Sequence, residues 1–312
     1  MISLRQKFAA QIAAQVTRGF AMGAADIVPG VSGGTVALLL GIYERLLNSI
    51  GSAARALYYF LKGDLSAACA RFHKVEWVFI VSLLTGALAA VVALSAILDR
   101  LLEDYPEEMA GLFFGLVIAS IIVAIGLLHR PLNALRLILL VAVAIAAFFV
   151  LGLQSGPTTD PSTVVFFGAG AIAICAMILP GISGSFILLM IGMYAAVLNA
   201  VTERQIGDIA VFALGALVGI ALFSFALTWL LDRAHDTVVA VLIGLMAGSL
   251  RVLWPWPNGV GISSKEAGEA IGGTRLEWPT SGELMVPALL ALIGFGVAVT
   301  LARLSSRSFR ER

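Results

Sequence analysis

Twice in this sequence a proline and several glycines interrupt an otherwise apolar run: "DIVPGVSGG" at residues 26–34 and "LPGISGS" at residues 179–185. These breaks constrain the fold more than any other feature. The chain is 60% hydrophobic and only 12% charged over 312 residues. Its mean hydropathy is +1.00. Soluble domains carry about a quarter charged residues, so this composition marks a polytopic membrane protein and excludes water-soluble enzyme folds. In hydrocarbon no water can satisfy freed backbone groups. A broken helix is therefore tolerated only where it is buried in protein or lines a wet cavity.

Six other segments have the roughly 20 apolar residues that cross a membrane. They lie near 77–98, 109–128, 134–153, 209–231, 237–254 and 284–303. The interrupted regions lie near 20–50 and 163–202, with a basic loop at 51–76 after the first. We take each interrupted region to return to the side it entered from. With a cytoplasmic N-terminus, 14 Lys and Arg residues then fall in cytoplasmic segments and four in outer ones. That imbalance follows the positive-inside rule and also places the C-terminus in the cytoplasm. Residues 8–20 carry Phe8, Ile12, Val16 and Phe20 at four-residue steps. This pattern suits an interfacial helix or a plain lead-in to the first hairpin. Residues 255–283 form a polar outer loop, read here as a cover.

The two interrupted regions match each other. At an offset of 151, Pro29, Gly30, Ser32, Gly33, Gly41 and Tyr43 fall on Pro180, Gly181, Ser183, Gly184, Gly192 and Tyr194. At an offset of 129, "GLVIAS" (115–120) resembles "GLMAGS" (244–249). The expected fold is all-α, in a single membrane domain with two repeats, 8–153 and 163–304. Each repeat holds a re-entrant, Pro-Gly-broken helical hairpin and three spans, the last of which closes it. One hairpin enters from the cytoplasm and the other from outside. Such an inverted-topology repeat is common in secondary transporters, whose sites lie where discontinuous helices meet near the midplane.

The tips have the chemistry of an anion seat. Pro29 and Pro180 end the incoming helices, Gly30 and Gly181 suit a left-handed turn, and Ser32 is a good N-cap. The amides of Gly33, Gly34 and Thr35, repeated around Ser183, Gly184 and Ser185, are then expected to be free donors at positive helix ends, as in phosphate cradles. Close helix packing is the rival reading for these glycines. It suits Gly41 and Gly192 well but explains a duplicated Pro-Gly-x-Ser-Gly poorly. Asp26, three residues before Pro29, is costly in a membrane unless paired or protonated. It can carry a proton, bind a coupling cation, hold an arginine, or brace the tip backbone. Glu44 and Arg45 sit at the cytoplasmic mouth, where charge balancing and snorkelling are both open. Arg251 lies just inside the outer end of its span and suits an anionic headgroup or snorkelling. The histidines at 73, 129 and 235 are scattered without ligand spacing, and Cys69 and Cys175 do not suggest a disulfide. No metal, cofactor or nucleic-acid partner is expected, and the oligomeric state is left open.

"GAADIVPGVSGGTVALLLGIYERLL", "LPGISGSFILLMIGMY" and "GLMAGSLRVLWPW" resemble the bacterial polyprenyl-phosphate translocase family (PopT type) over nearly the whole chain. That resemblance implies an inner-membrane transporter returning undecaprenyl phosphate, the lipid carrier of cell-wall synthesis, from the outer to the inner leaflet. The residues alone reach only as far as an anion. Alternating access would rock one repeat against the other, with the phosphate at the two tips and the polyprenyl tail in lipid. Two rivals are a polyprenyl-diphosphate phosphatase and a transporter of a small soluble anion. The phosphatase motif Pro-Gly-x-Ser-Arg-Ser-Gly lacks its arginine here, because Gly33 and Gly184 follow the two serines. Its Glu-x-x-x-Glu spacing occurs only at Glu103 and Glu107, across Pro106.

Overall fold

The computed structural model describes residues 4–28, 31–153, 158, 161–256, 276–280 and 282–310. Pro29, Gly30 and most of the outer loop 255–283 lie outside the described residues. Those described form twelve helices and no strand. They are α1 (Leu4–Asp26), α2 (Gly33–Leu39), α3 (Tyr43–Leu61), α4 (Leu65–Phe72), α5 (Trp77–Asp104), α6 (Pro106–Ile125), α7 (Ala134–Val150), α8 (Thr163–Ile178), α9 (Gly184–Met190), α10 (Tyr194–Thr202), α11 (Ile206–Ser249) and α12 (Met285–Arg310). Among them α5, α6, α11 and α12 are long and apolar enough to cross a membrane, while α7 and α8 are shorter apolar helices. This is a polytopic, all-helical membrane protein.

Local signals set many of the boundaries. Pro106 opens α6, with Glu107 and Glu108 in its positive first turn. Asn133 caps α7 through the Arg136 amide at 2.9 Å, and Asp64 caps α4 through the Ala67 amide at 2.9 Å. The basic stretch 51–76 is not an open loop: α3 runs on to Leu61, and α4 follows after the left-handed turn at Gly63.

Two expected spans, 209–231 and 237–254, are one helix interrupted only at Ala234 (φ −144°, ψ 44°). A straight helix of 44 residues would measure about 66 Å, twice the ~30 Å hydrocarbon core. The break at Ala234 therefore divides α11 into two arms.

Each interrupted region has the same three-part form: α1, α2, α3 in the first and α8, α9, α10 in the second. The short middle helices both have seven residues. Both end on a glycine with positive φ, Gly41 at 65° and Gly192 at 72°. Close packing does not explain Gly41, because nothing stands near its Cβ position, and Gly192 shares its positive φ. They turn the chain out of a helix, as C-terminal glycines do. After Gly192 the axis bends by 112° into α10.

Helix packing repeats as well. Gly86 of α5 lies on the backbone of Val16 in α1, and Gly215 of α11 lies on Phe167 in α8. Gly115 of α6 lies on Ala291 in α12, and Gly244 in the second arm of α11 lies on Leu140 in α7. A methyl at any of these glycines would overlap the facing helix, the close approach that small residues allow in membranes. The closing helices are thus crossed: α7 of the first half packs on α11, and α12 of the second half packs on α6. A repeat closed by its own last span was the expectation, but each half is closed by the other's.

Candidate functional site

The two tips meet. The Ser32 hydroxyl donates to the Met177 carbonyl at 2.9 Å, and the Gly181 amide donates to the Thr35 hydroxyl at 2.7 Å. The Tyr43 hydroxyl donates to the Ile178 carbonyl at 3.1 Å. Ser32 and Thr35 are wholly buried and Ser183 is 4% exposed. The contact is one-sided. Side chains of the first half reach the backbone that α8 leaves unpaired at its end. The sequence accounts for one of these three contacts, since the counterpart of Thr35 is Phe186, which has no hydroxyl.

Turn chemistry agrees with the sequence where it is described. Gly181 is left-handed, φ 87°. Ser32 caps α2, accepting from the Gly34 amide at 3.0 Å. Ser183 holds the same place before α9, but its hydroxyl pairs with that of Ser185 at 2.8 Å instead of capping.

The first-tip donors are not free. The Gly33 amide donates to an Asp26 carboxylate oxygen at 2.6 Å, the Gly34 amide to Ser32, and the Thr35 amide to the Ser32 carbonyl at 2.9 Å. Buried amides must find partners. Asp26, at the end of α1, supplies the charged one, so the bracing role fits this conformation. A side chain at Gly33 would run into that carboxylate, and one at Gly34 would stand 2.7 Å from the Ile178 carbonyl. Gly184 is filled around by Ala173 and Met177.

The charges at the other sites are partnered. Arg45 forms a bidentate pair with Glu76, its Nε 3.0 Å from both carboxylate oxygens, and lies 4.0 Å above the Phe79 ring. That pairing holds the Glu76 carboxyl below its ordinary range. The pair lines a cleft of about 440 Å³ with Phe8, Gln11, Gln15 and Trp77. Glu44 lies 3.0 Å from His235 Nε2.

Just past the C-terminal end of α11, Arg251 donates to the Phe148 carbonyl at 3.2 Å, with its guanidinium 4.7 Å from the Phe148 ring centre. Gly152 leaves room for it, since a methyl there would overlap the guanidinium. Arg251 opens on a cavity of about 400 Å³ lined by Phe114, Phe148, Trp254, Leu276 and Trp278. Reading along the chain found Arg251 but not this aromatic wall, which draws on four separate segments.

A second cluster escaped the sequence. His129 and His235, far apart in the chain, have ring centres 4.2 Å apart. Both face Asp236, which is 7% exposed. The Asp236 carboxyl is held below its ordinary range, first by the His129 backbone amide and then by His235 and Arg136. Periodicity could not have paired residues from the α6–α7 turn and the α11 break.

A helical membrane protein with two broken segments joined tip to tip has the form of a transport protein. The chain belongs to the undecaprenyl phosphate translocase-like family, whose description residues 22–271 match. It is 39% identical over 254 residues to a polyprenyl-phosphate transporter of Vibrio cholerae, covering 81% of each chain. It is 29% identical over 309 residues to a polyprenyl-phosphate transporter of Staphylococcus aureus, covering 94% of this chain and 97% of that one. No solved structure matches. The resemblance seen in the motifs therefore holds, and these relatives are named as transporters, not as enzymes.

Proposed function

We propose that this protein carries a polyprenyl phosphate, undecaprenyl phosphate in particular, from the outer to the inner leaflet of the bacterial inner membrane, with both termini in the cytoplasm. The meeting of the tips carries this reading: Ser32, Thr35 and Gly181 join two broken helices at one buried point. The relatives' names supply the lipid. The headgroup enters past Arg251 and its aromatic wall, and the tail stays in lipid. At the tips the phosphate takes the place of the Asp26 carboxylate on the Gly33 amide. Asp26 is thus a resident anion that must let go, by taking a proton or by turning aside, before the phosphate is held. Where Asp26 takes a proton as the phosphate arrives, the tips avoid holding two buried anions at once. The two halves have inverted topology, and they alternate access by bending of α11 at Ala234, where its α8-packed and α7-packed arms join.

The test is reconstitution of the full chain in vesicles with a labelled short-chain polyprenyl phosphate in the outer leaflet. Gly33→Val should abolish transfer while the protein still purifies as a folded monodisperse species, and Gly296→Val, which faces open space, should leave it intact. Transfer at the wild-type rate in Gly33→Val removes the tips from the mechanism. Uptake of soluble phosphate with no lipid transfer would favour a carrier of small anions.

A further inference from the structure

On the same face as Glu44, the turn after α6 and the break in α11 bring together three groups with ligand atoms. One atom each from His129, His235 and Asp236 lie within 4.8 Å of one another. Both imidazoles present Nδ1 to the same carboxylate oxygen: His235 at 3.3 Å and His129 at 3.6 Å from Asp236 Oδ1. Ligands about 2.1 Å from a tetrahedral ion stand roughly 3.4 Å apart, the spacing found at this carboxylate.

The surroundings support the same reading. His235 Nε2 faces Glu44 at 3.0 Å. His235 thus stands between two carboxylates, Glu44 at Nε2 and Asp236 at Nδ1. A carboxylate behind a ligating imidazole is the usual outer partner of a metal-bound histidine. Arg136 holds the other oxygen, Oδ2, at 3.1 Å and fixes the carboxylate's orientation. The His129 side chain is 73% exposed, so an ion has a path in.

We propose that His129, His235 and Asp236 form a binding site for a late first-row divalent cation such as Zn²⁺, Co²⁺ or Ni²⁺, the ions that imidazole suits. The bound ion would tie the α6–α7 turn to the break in α11, with Glu44 of α3 as the outer partner of His235.

The site is testable on the tag-free full chain in detergent, with Co²⁺ alone as the probe. Wild type should bind one Co²⁺ per chain with visible d–d absorption, and Zn²⁺ should displace it. His129→Ala and His235→Ala should each weaken binding at least tenfold. His129 is exposed, so its variant keeps the fold even where that of His235 does not, and thermal melts without metal check both. The Cys69→Ala/His73→Ala double variant removes a Cys–His pair, 3.6 Å apart at the C-terminal end of α4, and should bind as wild type does. Absence of stoichiometric binding to wild type would overturn the site. So would unchanged affinity in both histidine variants, or loss of binding only in the double variant.

Discussion

Ser32 and Met177 stand 145 residues apart, yet the hydroxyl of one donates to the carbonyl of the other at 2.9 Å. The Ser32 oxygen also accepts from the Gly34 amide. One side chain thus starts α2 and joins the two interrupted regions. Ser32→Ala removes both bonds. Loss of an N-cap costs about 1 kcal/mol, and a buried carbonyl without a partner about 1–3 kcal/mol. We expect a clear drop in thermal midpoint in detergent and at least a tenfold slower lipid transfer. Ser185→Ala, which loses only a hydroxyl pair, should do less on both measures.

Asp26 separates charge from hydrogen bonding. Asp26→Asn keeps an oxygen for the Gly33 amide but loses the carboxylate, whereas Asp26→Ala loses both. If Asp26 only braces the tip, Asn should support transfer at near the wild-type rate. The anion-exchange mechanism predicts that Asn folds as wild type does and transfers lipid at least tenfold more slowly. Melting curves and vesicle transfer on the same preparations decide between these.

Gly41 and Gly192 should respond alike to Ala. At positive φ a side chain is strained by roughly 1 kcal/mol, and Gly41 has open space around it, so conformational strain is the whole effect there. Gly115→Ala should cost more, because its methyl overlaps the Ala291 backbone and α6 and α12 must part. Thermal midpoints of the three variants should place Gly115→Ala lowest.

The Arg45–Glu76 pair gives a pH dependence with a defined sign. Glu76 is held below its ordinary range in the folded protein, so its contribution is present above the unfolded carboxyl value near 4.5 and is lost as pH falls through the lower folded value. The Glu76 side chain is 48% exposed, which limits the effect to about 1 kcal/mol at most. Between neutral pH and pH 3, Glu76→Gln should lose less stability than wild type; an identical acid profile would show that the pair contributes nothing.

Removing the Tyr43 hydroxyl isolates the third link between the regions. Tyr43→Phe keeps the buried ring but leaves the Ile178 carbonyl without that donor, at a cost of about 1–2 kcal/mol. Slower amide exchange at the end of α8 in wild type than in the variant is the expected result.

Much of this arrangement was legible because it rests on local chemistry. A proline inside an apolar run ends a helix wherever it occurs, and Ser before Gly-Gly caps one. The spacing of 151 between matched residues survives in three dimensions: Val16 and Phe167, or Leu140 and Ala291, are matched positions that face matched glycines. What could not be read depends on which helices become neighbours. Gly41 and Gly192 look like packing glycines on a helical wheel, yet they act through φ. The sequence offered bracing as one of four roles for Asp26, and only the fold shows its carboxylate on the Gly33 amide. His129 and His235 share no motif, and only the meeting of the α6–α7 turn with the α11 break makes them a pair.

The exchange of closing helices has a consequence for biogenesis. Gly111 and Gly115 give α6 a face shaped for the backbone of Pro287 and Ala291, residues that leave the ribosome some 175 positions later. Until then that face meets lipid or a borrowed partner. The first half therefore cannot mature when its own residues are complete. Its assembly waits for α12 to be inserted, whereas α7, which closes the second half, is already in the membrane when α11 arrives.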